Sequence, residues 1–322
     1  MSNKLFTPSN KNAQQCVKNV LKYLSDITYK KVITGQHTQT MAMEEFHHIE
    51  EVTGKQPALL GFELLSYSPN INYSDTDDEC MTEVMENYGT LKRAYEWADK
   101  KGLITMTWHW FSPLQGRSKA FFTRNTDFDA SKAVIDGTEE NKALISDMDM
   151  MAGLLRPFCD KQIPILWRPF HEAEGDWFWW GVKGAEVYKK LYRLMYHRFT
   201  EIHHLDNLIW VWNATTSELY PGDDVVDIIT RDMYPPAGDH SSQSEMYNNL
   251  IKVTDTKKIV AIGETGTAPF SENIVKEKIG WCYYMNWSKE FCLNDENTTR
   301  EDLKKLYDSE YSVTKENLPV LY

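Results

Sequence analysis

The 322-residue sequence predicts an α/β fold built as a single (β/α)8 barrel across residues 1–322, and three observations carry that expectation. Eight short runs rich in β-branched and aromatic residues alternate with stretches of helical periodicity. The runs are nearly continuous in apolar residues, as parallel strands buried on both faces must be, and polar residues gather at their C-terminal ends. The length would accommodate two average domains, but no linker rich in Pro, Gly or Ser divides the chain, and barrels of this size form one domain.

In order, the strand candidates are "KVITGQH" (31–37), "PALLGFELLSY" (57–67), "LITMTWHW" (103–110), "IPILWRPFHE" (163–172), "LIWVWNA" (208–214), "DIITRDMYP" (227–235), "KIVAIGETG" (258–266) and "GWCYYMNW" (280–287). A helix is expected over 82–101, where Val84, Met85, Tyr88, Leu91, Tyr95 and Ala98 form one stripe, and another over 185–203 after the fourth strand. The polar stretch 112–137 is too long for a simple connection and reads as a loop over the barrel mouth. A doubly wound open sheet is the alternative architecture. Its dinucleotide-binding form carries a GxGxxG turn after the first strand, and this chain has none.

Hydrophobic and charged fractions of 42% and 25% are those of an ordinary globular protein. The aromatic share is high, with 11 Trp and 17 Tyr; such rings either fill a large core or line a cleft that stacks flat ligands. A formal charge of −12 repels phosphate backbones and anionic lipid, so neither a nucleic acid nor a membrane is expected as partner. No stretch reaches the ~18 apolar residues of a membrane span. The N-terminal "MSNKLFTPSNKNAQQ" lacks the apolar core of a secretory signal, which points to the cytoplasm unless a signal has been removed. Five cysteines, an odd number without a CxxC pair, argue against a zinc site or a complete disulfide framework and for reduced thiols.

The chemistry-bearing residues stand at strand C-termini: His109, His171 with Glu172, Asp232 with Tyr234, Glu264, and Trp287. Strand starts such as Leu103, Ile163, Leu208 and Lys258 show no such crowding, and in a barrel the C-terminal end is the catalytic face. Alternation along a strand puts Arg168, Phe170 and Glu172 on one side of the fourth and Val260, Ile262 and Glu264 on one side of the seventh. If both sets point inward, two carboxyl groups face each other over the mouth. That arrangement serves cleavage of a glycosidic bond, one acid protonating the leaving oxygen while the other attacks the anomeric carbon. The structural alternatives are an ion pair of Glu172 with Arg168 and a helix cap for Glu264. The stretch "LWRPFHEAEGDWFWWG" (166–181) mixes ionisable groups with Trp177, Phe178, Trp179 and Trp180, as a sugar cleft requires, because pyranose C–H faces rest on indoles while hydroxyls seek polar partners. Trp179 and Trp180 read as wall packing.

"RPFHE" followed by "GDWFWWG", with "TWHW" upstream and "RDMYP" and "GETG" downstream, resembles glycoside hydrolase family 26 over about 32–287. Its best-known members are β-mannanases with a retaining (β/α)8 barrel. By motif, the resemblance implies that Glu172 is the general acid/base and Glu264 the nucleophile. His171 would orient the acid, and His109 would contact the sugar beside the scissile bond. Asp232 and Tyr234 would flank the nucleophile, Trp177 would stack at the cleavage subsite, and Trp287 would form a second aromatic wall. The implied substrate is β-1,4-linked mannan, glucomannan, galactomannan or their oligosaccharides, with xylan and mixed-linkage β-glucan as alternatives inside the family. No metal or cofactor is implied. The chain departs from many relatives where Ser288, in place of arginine, follows Trp287. From other classes, a carbohydrate-binding barrel without catalysis could use the same aromatics. A metal-dependent hydrolase would commonly show His-x-His on an early strand, whereas "GQHTQT" offers His37 alone.

Overall fold

A computed structural model of the protein describes residues 7–38 and 42–322. The start of the N-terminal stretch, 1–6, and the end of "GQHTQT" with the next residue, 39–41, lie outside the described residues. Among the described residues nine strands form: β1 (Val32–Ile33), β2 (Gly35–Thr38), β3 (Leu59–Glu63), β4 (Leu103–Thr107), β5 (Ile165–Arg168), β6 (Leu208–Asn213), β7 (Ile228–Met233), β8 (Ile259–Thr265) and β9 (Ser312–Val313). From β2 to β8 they make one seven-stranded parallel sheet in sequence order. The eighth expected strand, 280–287, is a run of isolated parallel bridges, Trp281 with Val260 and Asn286 with Thr265 on one side, Tyr283 with Ile33 and Asn286 with Gln36 on the other. It therefore lies between the last and first strands of the sheet and closes a (β/α)8 barrel. Hydrogen bonds from Ile33 N to Cys282 O (2.9 Å) and from His37 N to Asn286 O (2.8 Å) seal that seam. Thr34 interrupts the first strand, and its N–H donates to Val313 O in β9, which pairs with β1.

Two apolar cores follow from strand alternation. Inside the barrel, Leu59, Leu103, Leu166, Ile209, Val211, Ile228, Ile259 and Ala261 pack with Val17, Val20, Leu21 and Leu24 of the helix Gln15–Ile27. The residues leading into that helix bond the starts of the strands, Ser9 N to Asp227 Oδ1 and Gln14 N to Asp206 O, so it plugs the N-terminal end of the barrel. Outward-facing Trp167, Trp210, Trp212, Val260 and Ile262 belong to the second core, beneath the surrounding helices. Among the described residues no helix is long and apolar enough to cross a membrane, and all five cysteines are free and buried.

The helix expected at 82–101 is two, Asp78–Asn87 and Thr90–Asp99. Asp77 caps the first by accepting from Cys80 N, and Gly89, in the left-handed region at φ 91°, breaks the continuity. Met85 and Tyr88, expected on the buried stripe, are 63% and 66% exposed as a result. The helix expected at 185–203 runs Ala185–His197 and ends in a π turn, Arg198–Ile202. The stretch 112–137 does lie against the barrel mouth. Phe122 bridges Phe178, and Thr123 N donates to Trp177 O (2.7 Å), which fastens this loop to the one after β5.

Two strand ends depart from strict alternation. β5 stops at Arg168, and beyond it Phe170 (φ 51°) and Glu172 (φ 54°) take left-handed backbone, so Phe170 turns out into the aromatic core while Arg168 stays inside. In β8, Val260 and Ile262 face outward, contrary to the expectation that they share a face with Glu264. The register shifts by one between Arg231–Ile262 and Asp232–Glu264, a β-bulge that leaves Gly263 unpaired and turns Glu264 inward.

Candidate active site

Arg168 organises the site. Its side chain, fully buried at the top of the barrel, donates from Nη1 to Asp232 Oδ2 (2.8 Å) and from Nη2 to Glu264 Oε1. Asn213, ending β6, donates to Asp232 Oδ1 (2.7 Å) and to Thr230 Oγ1 (3.0 Å), and its own Oδ1 accepts from Glu172 N (2.9 Å). That last bond holds the irregular backbone that places Glu172 over the mouth. One carboxylate oxygen each from Glu172, Asp232 and Glu264 lies within 4.8 Å of the other two. Such a trio attracts a cation, and the fold supplies one: the Arg168 guanidinium sits between Asp232 and Glu264.

Three carboxyl groups around one guanidinium cannot all ionise cheaply. Burial and the neighbouring Asp232 charge push Glu172 up to about 7. Burial and Asp232 push Glu264 upward as well, but Glu264 is the group in contact with both Arg168 and the Tyr234 hydroxyl, which donates to its Oε2 (3.0 Å). Those contacts favour its charge, whereas the Glu172 carboxyl is bonded by the Trp177 indole. Burial and the charge of Glu264 hold the Tyr234 phenol protonated, well above its ordinary range. The Trp177 indole, 44% exposed, donates to Glu172 Oε2 (2.9 Å).

A second polar group adjoins the first. Glu63, at the end of β3, accepts from His109 N (2.8 Å), from Thr107 Oγ1 (2.8 Å) and pairs with His109 Nδ1 (2.8 Å). Burial opposes charge on both partners, yet their attraction prevails: Glu63 is drawn down to about 2 and His109 is raised. His109 Nε2 lies 3.2 Å from His171 Nε2. His171 makes no bond to the Glu172 carboxyl; it is packed against Phe178 and Trp180, its Nδ1 has no partner, and burial with the Arg168 charge keeps it neutral. Trp287 packs against buried His37 with ring centroids 4.6 Å apart and planes tilted by 55°, and it edges the same cleft as His109. Trp179 and Trp180 are buried in the wall, their N–H groups bonded to Trp110 O and His171 O.

All eight residues singled out in the sequence thus gather at one end of the barrel. Three that complete the site were missed in that role. In the sequence Arg168 offers itself as a partner for Glu172, and Glu63 and Asn213 each fall within an apolar strand. Their one visible signal was position, a lone polar residue at a strand's C-terminal end.

A barrel whose mouth brings two inward carboxyl groups together beside a half-exposed indole has the layout of the glycosidases that work through paired acids. The chain belongs to glycosyl hydrolase family 26, whose sequence profile matches residues 9–317. It is 35% identical over 318 residues to a mannan endo-1,4-β-mannosidase of Thermothelomyces thermophilus, a match covering 96% of this chain and 63% of that protein. Mannan endo-1,4-β-mannosidase A of Piromyces sp is 32% identical over 84% of this chain and 43% of its own length. The chain thus spans less than two thirds of either relative. Among solved structures, the Podospora anserina GH26-CBM35 β-(1,4)-mannanase superposes with a TM-score of 0.87 at 33% identity, over 97% of this chain and 68% of that one. The β-mannanase from a symbiotic protist of the termite Reticulitermes speratus, complexed with gluco-manno-oligosaccharide, gives 0.87 at 30% identity over 97% of both chains.

Proposed function

We propose that residues 1–322 act as one catalytic barrel that hydrolyses β-1,4-mannosidic bonds, in mannan, glucomannan, galactomannan or their oligosaccharides, with retention of configuration. The observation that carries this reading is the approach of Glu172 and Glu264 to within 4.8 Å at the mouth, close to the roughly 5–5.5 Å separation of retaining glycosidases. The mannan specificity rests on the named activity of the relatives.

In the first step Glu264, ionised beside Arg168, attacks the anomeric carbon while Glu172 gives its proton to the departing glycosidic oxygen. The bond to the leaving sugar breaks as the glycosyl–Glu264 ester forms. In the second, Glu172, now a carboxylate, takes a proton from water, which displaces Glu264. Tyr234 and Arg168 hold the nucleophile's oxygens, Asp232 and Asn213 hold Arg168 and the Glu172 backbone, and His109, Trp177 and Trp287 line the cleft where the sugars lie. His171 supports His109.

Replacing Glu264 with Ala tests the assignment. On an aryl β-mannoside, turnover should fall at least ~10⁴-fold, and added azide should restore it with an α-configured glycosyl azide as product. Full activity in the variant, or a β-configured azide, would refute the nucleophile.

A further inference from the structure

The long helix Glu139–Asp160, outside the barrel, buries Leu144, Met148, Met151 and Leu155 and, on the same face, one carboxyl group, that of Asp147, 4% exposed. Burial pushes this carboxyl up to about 7. Its two bonds among the described residues come from neutral side-chain N–H groups, Trp110 Nε1 (2.8 Å) and Asn70 Nδ2 (2.7 Å), both on Oδ2. A leucine here would pack with its neighbours without the desolvation that a buried carboxyl group suffers. What Asp147 holds is the end of β4. The ladder of that strand stops at Thr107, and beyond it His109 N and Phe111 N donate to side chains, Glu63 Oε1 and Ser68 Oγ, rather than to a neighbouring strand. Trp108 and Trp110, on either side of His109, turn outward into the core beneath the helices, their rings stacked with centroids 4.1 Å apart. Each indole N–H is fastened, the first to Ser68 Oγ (2.8 Å) and the second to Asp147.

We propose that Asp147 is a positioning residue for the reaction: through the Trp110 N–H it fixes the turn that follows β4 and so holds the His109 ring at the cleft. The inference rests on the glycosidase reading above and adds to it a residue that lies outside the cleft. One anchor leaves a segment free to pivot, whereas two on opposite sides fix its direction. Here Glu63 grips the ring and the backbone N–H of His109 from inside the barrel, and Asp147 grips the next residue from outside. Asn70 carries the same carboxyl group into the loop after β3, so the connections that leave two adjacent strands are joined to one helix. Because both donors are neutral, the bonds require an acceptor oxygen at this place and not a charge.

The test reads two quantities, kcat/KM on β-1,4-mannopentaose and the His109 imidazole resonances of protein isotopically labelled at histidine. Asp147→Leu keeps the bulk and removes the acceptor. Its kcat/KM should fall about tenfold, the loss expected of a ring displaced by a fraction of an ångström, and the His109 resonances should shift. Asp147→Asn retains an acceptor oxygen and should restore both, with kcat/KM within about twofold of the parent. Trp110→Phe deletes only the N–H; it should repeat the leucine result and takes that variant's place if Asp147→Leu does not fold. Parent-like rates in both Asp147→Leu and Trp110→Phe, equal losses in the leucine and asparagine variants, or a loss of activity with the His109 resonances unmoved would each overturn the positioning role alone. A parent protein that leaves mannopentaose intact would overturn the mannosidase reading and this inference with it.

Discussion

Burial and the Asp232 charge disfavour the Glu172 carboxylate, while the Arg168 charge, the Trp177 N–H and the His109 charge favour it. A general acid, the role proposed for Glu172, must be protonated to act, so kcat/KM should decline as pH rises through about 7, the value to which Glu172 is pushed up. Trp177→Phe keeps an aromatic face and deletes the N–H. Without that donor the carboxylate is less stable and the acid holds its proton longer, so the alkaline limb should move upward by roughly 0.5–1 pH unit. A pH profile of the variant with an unmoved limb would mean that Glu172 is not the group titrating. At this scale the sequence was informative where residue type and motif coincide, as at Glu172, Glu264 and Trp177. It was silent on Glu63, because one acid inside "GFELLSY" carries no motif, and its meaning emerges only when β3 sets it beside His109.

Between residue and barrel, the site depends on two places where regular strand geometry gives way. Alternation alone would have turned Glu264 toward the helices with Val260 and Ile262; the bulge at Gly263 reverses it. A Cβ at position 263 would stand 2.4 Å from Asp232 Oδ1 and 2.6 Å from Asn213 Nδ2, the atoms that brace Arg168 and the Glu172 backbone. Gly263→Ala should therefore lower kcat/KM about 100-fold, through displacement of order 1 Å, while the protein still folds; steady-state kinetics beside a thermal melt would separate the two effects. The eight strands were legible because buried parallel strands are apolar and helices are periodic. The bulge was not, since a glycine inside "AIGETG" is equally at home in a straight strand or a turn. The split of the 82–101 helix has the same origin: Gly89 breaks a stripe that apolar spacing alone would continue through Tyr88.

Across the whole molecule, polar and apolar roles are divided along the barrel axis, with charged residues at the mouth and the helix Gln15–Ile27 sealing the base. Leu24, fully buried against the strand starts, belongs to that seal. Leu24→Ala should cost about 3 kcal/mol of unfolding free energy, read by denaturant titration, with KM unchanged because the cleft is at the opposite end. The closing seam follows another logic. Its bonds join residues near position 35 to residues near 285, some 250 positions apart, and β9 brings 312–313 to the same edge. Loop closure over such a span gains nothing until both ends are present. During translation, then, the first strand waits with an open margin while everything else is made. The cylinder completes itself only when its last staves emerge from the ribosome, and until that moment Val32–Thr38 is the edge along which a nascent neighbour could pair wrongly.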